Sequence, residues 1–375
     1  MEEDLRARRR SRPERWRYKE QTRMKHAVLS NYLTRWGSIL RKPWTDEPQT
    51  LHYVDSFAGR GRYEGGEPGS PLRAMEIGQQ LHDHFNGGVI FDCHNVERDE
   101  QNFNSLTREV EACQPYYPNV SVSRYFGNFE DYMEGILRKI PSGAATLYFL
   151  DPWGYQNIDM VIKLLERRYN EVVVTFMSSF WNRFLGDSTK ISTHDENFDT
   201  PEWRELLDLP RGKRQPALVT FYGREIQRQA SEKLGLNEVY IYPIDVDFGD
   251  RDQDIYHLIH ASRSPRARLA MEEAVRGATS LLKQDALVLY DSSVQDLVLD
   301  QLDREGTLEA SRLAENIWLD TWEATWHTDI RQAVKALEAQ GQVEILPEPG
   351  KVHKVGNLLR WKERVMLKGD QLRLI

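Results

Sequence analysis

Three carboxylates stand where a chain that alternates apolar runs with amphipathic segments would place its chemistry. Asp55 ends the apolar run 51–54, Glu97 ends 89–96, and Asp151 ends 144–150. After Asp55 comes a turn, Phe57-Ala58-Gly59-Arg60-Gly61, whose two glycines allow backbone N–H groups to approach a ligand closely. No Gly-Lys-Ser/Thr follows, so the turn is not a P-loop, and Glu64 breaks the full G-x-G-x-x-G spacing. A Gly-x-Gly after one strand, joined to an acid at the end of the next, points to an adenosine-containing cofactor. Glu97 lies about forty residues past the glycines, beyond the roughly twenty of the dinucleotide fingerprint, yet holds the equivalent topological place. A carboxylate there can accept both ribose hydroxyls; alternatively, Glu97 and Asp99 are the solvated start of the next helix.

Asp151-Pro152-Trp153-Gly154 is the second chemical element. A carboxylate at the end of a central strand can accept hydrogen bonds from an exocyclic amine. Pro152 fixes the turn, so its carbonyl becomes a second acceptor of set direction. Trp153 offers a face for a stacked base, worth about 1–3 kcal/mol. The bland alternative is a tight turn with a packing tryptophan. Arg60 and Arg62 either meet a nucleic-acid phosphate or face solvent.

The elements that must position these groups follow from periodicity. Residues 25–40 read as a helix, with Val28, Leu29, Tyr32, Leu33 and Trp36 on one face. Strands at 51–57, 89–96, 120–125, 144–150 and 171–177 alternate with helices at 72–85, 99–112, 131–140 and 160–168, which predicts a doubly wound α/β sheet. Ligands of such sheets sit beyond the carboxyl ends of the strands, where Asp55, Glu97, Asn128, Asp151 and Ser178-Ser179 cluster. Residues 180–216 read as a long polar, irregular insertion, a candidate substrate cap. Strands resume near 239–242 and 256–260, and a helix at 267–276 closes the domain. Beyond 290 come three helices and a hairpin pairing 343–346 with 351–355, the order of a winged-helix module. The division expected is a basic arm and helix at 1–48, an α/β domain at 49–285, and a winged-helix-like α+β domain at 290–375.

Composition limits the alternatives. The 375 residues are 40% hydrophobic and 29% charged, enough for a sizeable core. No apolar run reaches the roughly 18–20 residues that span a bilayer, and no secretory h-region opens the chain, so a cytoplasmic location and no membrane partner are expected. The net charge is −8, but residues 1–25 hold ten Arg or Lys against five acids, an arm able to neutralise phosphates. Cys93 and Cys113 read as buried free thiols. His52, His82, His84, His94 and His194 lack metal-ligand spacing, so no metal is expected. Trp318, Trp322 and Trp326 would share one helix face, as a core or interface stripe or as a platform for single strands.

With these residues in place, the chain resembles a class I S-adenosylmethionine-dependent methyltransferase of the amino-methylating type. Asp151-Pro152-Trp153-Gly154 is similar to the Asp-Pro-Pro-Tyr/Phe of adenine and cytosine N-methyltransferases and to the Asp-Pro-Phe-Gly of tRNA guanine-N2 methyltransferases. More closely, residues 25–36, 54–63, 148–154 and 256–265 with Met271 resemble the bacterial three-Cys-motif partner (TcmP) family. The resemblance implies S-adenosylmethionine as cofactor, with Asp55, Phe57, Ala58, Gly59 and Gly61 around its methionine part. It implies Glu97 at the ribose and Asn128 and Phe129 beside the adenine. Asp151, Pro152 and Trp153 would receive the amine, with Gly154, Tyr155, Arg60 and Arg62 on the substrate side. Trp153 departs from the family's Phe or second Pro. The function expected is N-methylation of an exocyclic amine in an RNA or DNA base. The alternatives are a protein or small-molecule amine, or a non-catalytic sensor working with a protein partner, as the family name implies.

Overall fold

The runs ending on Asp55, Glu97 and Asp151 are three strands of one sheet. This computed structural model describes residues 17–41, 47–152, 154, 156–246, 256–282, 293–321, 327–349, 351–353, 359 and 363–368. Within them β1 (Gln49–Asp55), β2 (Val89–Glu97), β3 (Val120–Phe126), β4 (Thr146–Leu150), β5 (Asn170–Phe176), β6 (Tyr240–Asp245) and β7 (His257–Ser262) pair in the order β3-β2-β1-β4-β5-β7-β6. The strands are parallel except β7, which runs antiparallel to both β5 and β6. The chain moves outward from β1 through β2 to β3, then returns to the other side of β1 as β4. That reversal is a topological switch point, where open α/β sheets bind ligands.

Every residue of β4, β5 and β7 is buried, which explains the nearly continuous apolar run of β4 and the Val172–Val174 run of β5. Their two faces carry different helices. Glu171 of β5 accepts hydrogen bonds from Tyr32, Trp36 and His260, and the first two lie on α1 (Glu20–Leu40). Phe176, five residues on and so on the other face, stacks on Tyr222 of α8 (Arg211–Leu234) at 4.4 Å. Between them in sequence lie α2 (Ser70–His84), α3 (Glu100–Cys113), α4 (Phe129–Lys139), α5 (Ile158–Leu165), α6 (Ser178–Phe184) and α7 (Ile191–Phe198). Pro71 opens α2, where a missing N–H costs nothing, and Asp99 caps α3 by accepting from Asn102 N. After β7, α9 (Pro265–Leu282) lies along α1: Asn31 Nδ2 donates to the Ala274 carbonyl at 3.1 Å, and Arg35 pairs with Glu273 at 2.5 Å.

Two sequence expectations need correction. Residues 180–216 are not irregular: they hold the rest of α6, all of α7, two 3-10 turns (Ser188–Lys190, Glu202–Asp208) and the start of α8. Their aromatic residues build a local core, with Trp181 against Phe198 at 4.3 Å and His194 against Trp203 at 4.9 Å. Pro216 sits inside α8, and the buried positions Leu218, Val219, Tyr222, Ile226 and Ala230 take up helical spacing only after it. The expected hairpin partner at 351–355 is also wrong. β9 (Val343–Leu346) pairs with β10 (Arg364–Leu367), residues 351–353 form no strand, and 354–358 lie outside the described residues.

The last part of the chain adds α10 (Ser293–Glu305), β8 (Leu308–Glu309), α11 (Ala310–Thr321) and α12 (His327–Ala339), with a small antiparallel sheet in the order β8-β10-β9. Val298, Leu302, Leu313, Val334, Leu337 and Val365 form its own core. A buried polar contact fixes it to the large sheet. Glu315 of α11 accepts from the Ile241 N–H of β6 at 2.7 Å and from Arg312 at 2.7 Å, while Arg268 of α9 donates to the Ser311 carbonyl at 3.1 Å. Burial pushes the Glu315 carboxyl up and the Arg268 guanidinium down to about 10; their mutual attraction opposes both shifts. Cys93 and Cys113 are buried and free, as the sequence implies. Among the described residues no helix is long and apolar enough to cross a membrane. The basic residues from Arg6 to Arg15 fall outside the described residues, as do Trp322, Trp326 and the Trp318 side chain.

Candidate active site

The strand register brings the three acids together. β1 aligns Asp55 with Asn95 on β2 and with Phe149 on β4. Glu97 and Asp151 therefore each stand two residues beyond Asp55, on either side of it. Ser56 N donates to the Phe149 carbonyl at 3.1 Å and Ala58 N to the Val96 carbonyl at 2.9 Å, so the chain leaves β1 between its two neighbours. Glu97 and Asp151 line one cavity of about 630 Å³, within the range that holds a cofactor-sized ligand, and Asp55 lies buried between them at the end of β1.

Asp55 is fully buried, behind the lining residues Phe57 and Ser70. Its carboxylate accepts from Tyr53 Oη at 3.1 Å and Phe57 N at 3.2 Å. Burial pushes this carboxyl up to about 7; hydrogen bonds, from Ser70 above all, pull against that, and the Asp151 charge adds to it. Such a group favours a cationic partner. Glu97 accepts from Gly59 N at 2.8 Å and Asp99 N at 2.7 Å. Burial raises its pKa, and those two N–H donors oppose the rise. A carboxylate has about four acceptor positions, so two remain for ligand hydroxyls.

The glycine turn binds Glu97 through Gly59 and runs at φ +67° and +89° for Gly59 and Gly61. A Cβ on Gly61 would lie 2.9 Å from Glu109 Cβ, and its carbonyl receives Gly69 N at 2.8 Å. Gly61→Ala is expected to cost about 1–2 kcal/mol of stability through the left-handed backbone and the clash. Urea unfolding of the variant checks this; an unchanged midpoint would show that the turn yields freely.

Asp151 is not alone. Lys25 Nζ of α1 lies 2.5 Å from Asp151 Oδ2, with side-chain exposures of 9% and 22%. The ammonium also sits 5.5 Å from the Tyr256 ring centre. Among the described residues the other Asp151 oxygen makes no hydrogen bond, which leaves it for a ligand. Lys25 escaped notice in sequence because it borders the basic arm. A signal existed: Lys25 lies three, four and seven residues before Val28, Leu29 and Tyr32, on the buried stripe of α1. A cation in that stripe needs a buried partner.

The other anticipated residues divide. Phe57, Ala58, Gly59, Arg60, Gly61, Asn128 and Pro152 line the cavity. Arg62 lines it too, but its guanidinium bonds Glu109 at 2.8 Å and the Gly66 carbonyl at 2.9 Å, holding the turn. Phe129 turns into the core at 1% exposure and reaches only a smaller adjoining cavity. Phe126 and Gly127 take the lining position beside Asn128. Gly154 adopts φ +124°, a glycine conformation, while Trp153 and Tyr155 fall outside the described residues. Ser178 is occupied away from the cavity with His257 Nδ1 at 2.8 Å, and Thr175 and Met177 line it at the end of β5. Arg17, Lys19, Gln21 and Thr22, at and before the start of α1, form a wall that the sequence did not suggest.

No family model and no curated protein matches the chain. Among solved structures, a geranyl diphosphate methyltransferase in complex with GPP and sinefungin is 15% identical, covering 62% of this chain and 76% of its own, at a TM-score of 0.28. A human methyltransferase 10 domain containing protein is 9% identical, covering 64% and 82%, at 0.30. The METTL16 methyltransferase domain is 10% identical, covering 58% and 62%, at 0.28. Similarity this low carries no argument about function, which rests on the geometry above.

Proposed function

We propose that this chain is an S-adenosylmethionine-dependent N-methyltransferase acting on an exocyclic amine of a nucleic-acid base. One observation carries the reading: Glu97 and Asp151 line a single cavity at the switch point of the sheet, with Asp55 buried between them at the end of β1. The seven-stranded sheet agrees with the doubly wound α/β sheet expected from the sequence. The donor set suits the cofactor. Asp55, buried without a cation of its own among the described residues, would take the ammonium and sulfonium end, and Glu97 the ribose hydroxyls. Phe126, Gly127 and Asn128 would border the adenine.

When bound, the cofactor supplies a methyl group on a sulfonium, already a strong donor, so the chain needs little acid–base power. Its work is alignment. Asp151 and the Pro152 carbonyl would hold the two hydrogens of a planar amine, and Lys25 would keep the Asp151 carboxylate oriented. Besides the Lys25–Asp151 pair, the cavity lining carries Arg17, Lys19, Arg60 and Arg98, against Glu97, Asp99 and Glu100. Those cations support a polyanionic substrate, and the terminal helix–strand–helix–helix–strand–strand unit, read as winged-helix-like, would help hold it.

Transfer of labelled methyl groups to total RNA, DNA or protein tests the proposal. Label confined to protein or small molecules would keep the enzyme and remove the nucleic acid. Absence of S-adenosylmethionine binding in calorimetry would remove both. The Lys25–Asp151 pair also favours a second reading, a cofactor-sensing partner protein whose acceptor carboxylate is used structurally. Full biological function in an Asp151→Ala variant would select that reading.

A further inference from the structure

His52, Asp92 and His94 lack metal-ligand spacing along the chain, but the sheet register joins them. β1 and β2 align His52 with Asp92, and His94 lies two residues on, so all three project from one face. That face is opposite Phe91, which packs against Gly78 of α2. Their nitrogen and oxygen ligand atoms lie within 4.8 Å of one another. His52 Nδ1 is 3.3 Å and His94 Nε2 3.2 Å from the same Asp92 oxygen.

We propose that His52, Asp92 and His94 form a binding site for a divalent transition-metal ion, zinc being the ion that its ligand set fits. Tetrahedral ligands at zinc distances of about 2.0–2.1 Å stand roughly 3.3 Å apart, close to the separations here. The simpler account is an imidazole–carboxylate network, since both ring nitrogens lie within 3.3 Å of the Asp92 oxygen. Both nitrogens are buried, on residues 5% and 3% exposed, yet neither makes a hydrogen bond of acceptable direction. An ion held between these three groups would satisfy both nitrogens at once.

The surroundings suit a metal ligand set. Tyr125 Oη lies 3.1 Å from His94 Nδ1 and can fix the ring with Nε2 towards the site, as outer-shell partners of metal-bound histidines do. Lys139 Nζ donates to the same phenol at 3.2 Å, and the second lone pair of that oxygen can accept the imidazole N–H in the tautomer that leaves Nε2 for a metal. The Asp92 side chain is 25% exposed, so the fourth position opens to water. His52 and His94 stand three residues before Asp55 and Glu97, about 10 Å back along their strands. An ion there would brace the two strands that carry the cofactor acids, without touching the methyl-transfer cavity. The site is independent of the proposed activity.

The full chain, stripped with a chelator, is titrated with Zn²⁺ alone by calorimetry and with Co²⁺ by visible absorption. One equivalent of Zn²⁺ and d–d bands of a low-coordinate nitrogen–oxygen Co²⁺ site are expected. Asp92→Asn and His94→Gln should each weaken Zn²⁺ by at least about tenfold, since even outer-shell partners contribute 10–100-fold. Thermal unfolding of the metal-free variants shows that they fold. Should His94→Gln fail to fold, the part-exposed Asp92→Asn decides. No Zn²⁺ binding, or binding that Asp92→Asn leaves unchanged, overturns the site, the latter outcome pointing to Cys93, Cys113 or other histidines.

Discussion

Asp151→Asn is expected to lower methyl-transfer turnover by about 10²–10³-fold while leaving S-adenosylmethionine affinity largely intact. The magnitude is that of removing one preorganised electrostatic contact from a reacting centre. The asparagine keeps the shape of the side chain but loses the charge that polarises the amine as its nitrogen gains a bond. Cofactor binding is expected to survive because, in the proposed site, Asp55 and Glu97 on β1 and β2 would carry the cofactor contacts. The variant also strands Lys25, whose ammonium lies 2.5 Å from Asp151 and is 9% exposed. Removing the partner of a buried charge costs about 3–5 kcal/mol; partial exposure of Asp151 places this pair towards or below the low end. A loss of turnover could then reflect a loosened α1. The double variant Lys25→Met/Asp151→Asn separates the two: thermal stability should recover and turnover should not. Turnover within a few-fold of the parent in single-turnover assays would remove Asp151 from catalysis.

The acids of this site were legible because they end apolar runs, and a strand buried on both faces has few other places for a carboxylate. Their symmetry was not. Helices of unequal length separate β1, β2 and β4, so spacing along the chain hides that Glu97 and Asp151 each stand two residues past Asp55. The same register effect conceals His52, Asp92 and His94. α8 was missed because its first turns, Arg211 to Gln215, are polar and end at a proline, while its apolar spacing starts afterwards. At the other end, β10 lay beyond the segment at 351–355, which follows β9 more closely and resembles a hairpin partner. Sequence distance misled there, since β10 also pairs with β8, two residues that periodicity could not have marked.

The affinity for S-adenosylmethionine should rise with pH between 6 and 7.5, because Asp55 must lose a proton to meet a cation. Burial lifts its carboxyl from an ordinary 3.8 to about 7. In the ligand-free protein this group favours folding most below the ordinary carboxylate range, and that contribution is lost as pH climbs through about 4–7. A bound sulfonium and ammonium reverse the preference by stabilising the ionised form. At pH 6 about one-tenth of Asp55 is ionised, so binding should be close to tenfold weaker than on the plateau. His26 does not confuse the window: burial and the adjacent Lys25 hold it neutral, well below its ordinary value. Glu97, raised in the same direction by burial, adds a shallower dependence of the same sign. Asp55→Asn should leave only that shallow slope and weaken binding at pH 7.5 by about 1.5–3 kcal/mol, the worth of a hydrogen bond to a charged group. It should also make the ligand-free protein more stable than its parent at pH 7.5, since an uncompensated buried charge is gone. Calorimetry in buffers of different ionisation enthalpy reads the proton released on binding directly. An affinity equal at pH 6 and 7.5, with no proton released, would place the positive end of the cofactor away from Asp55.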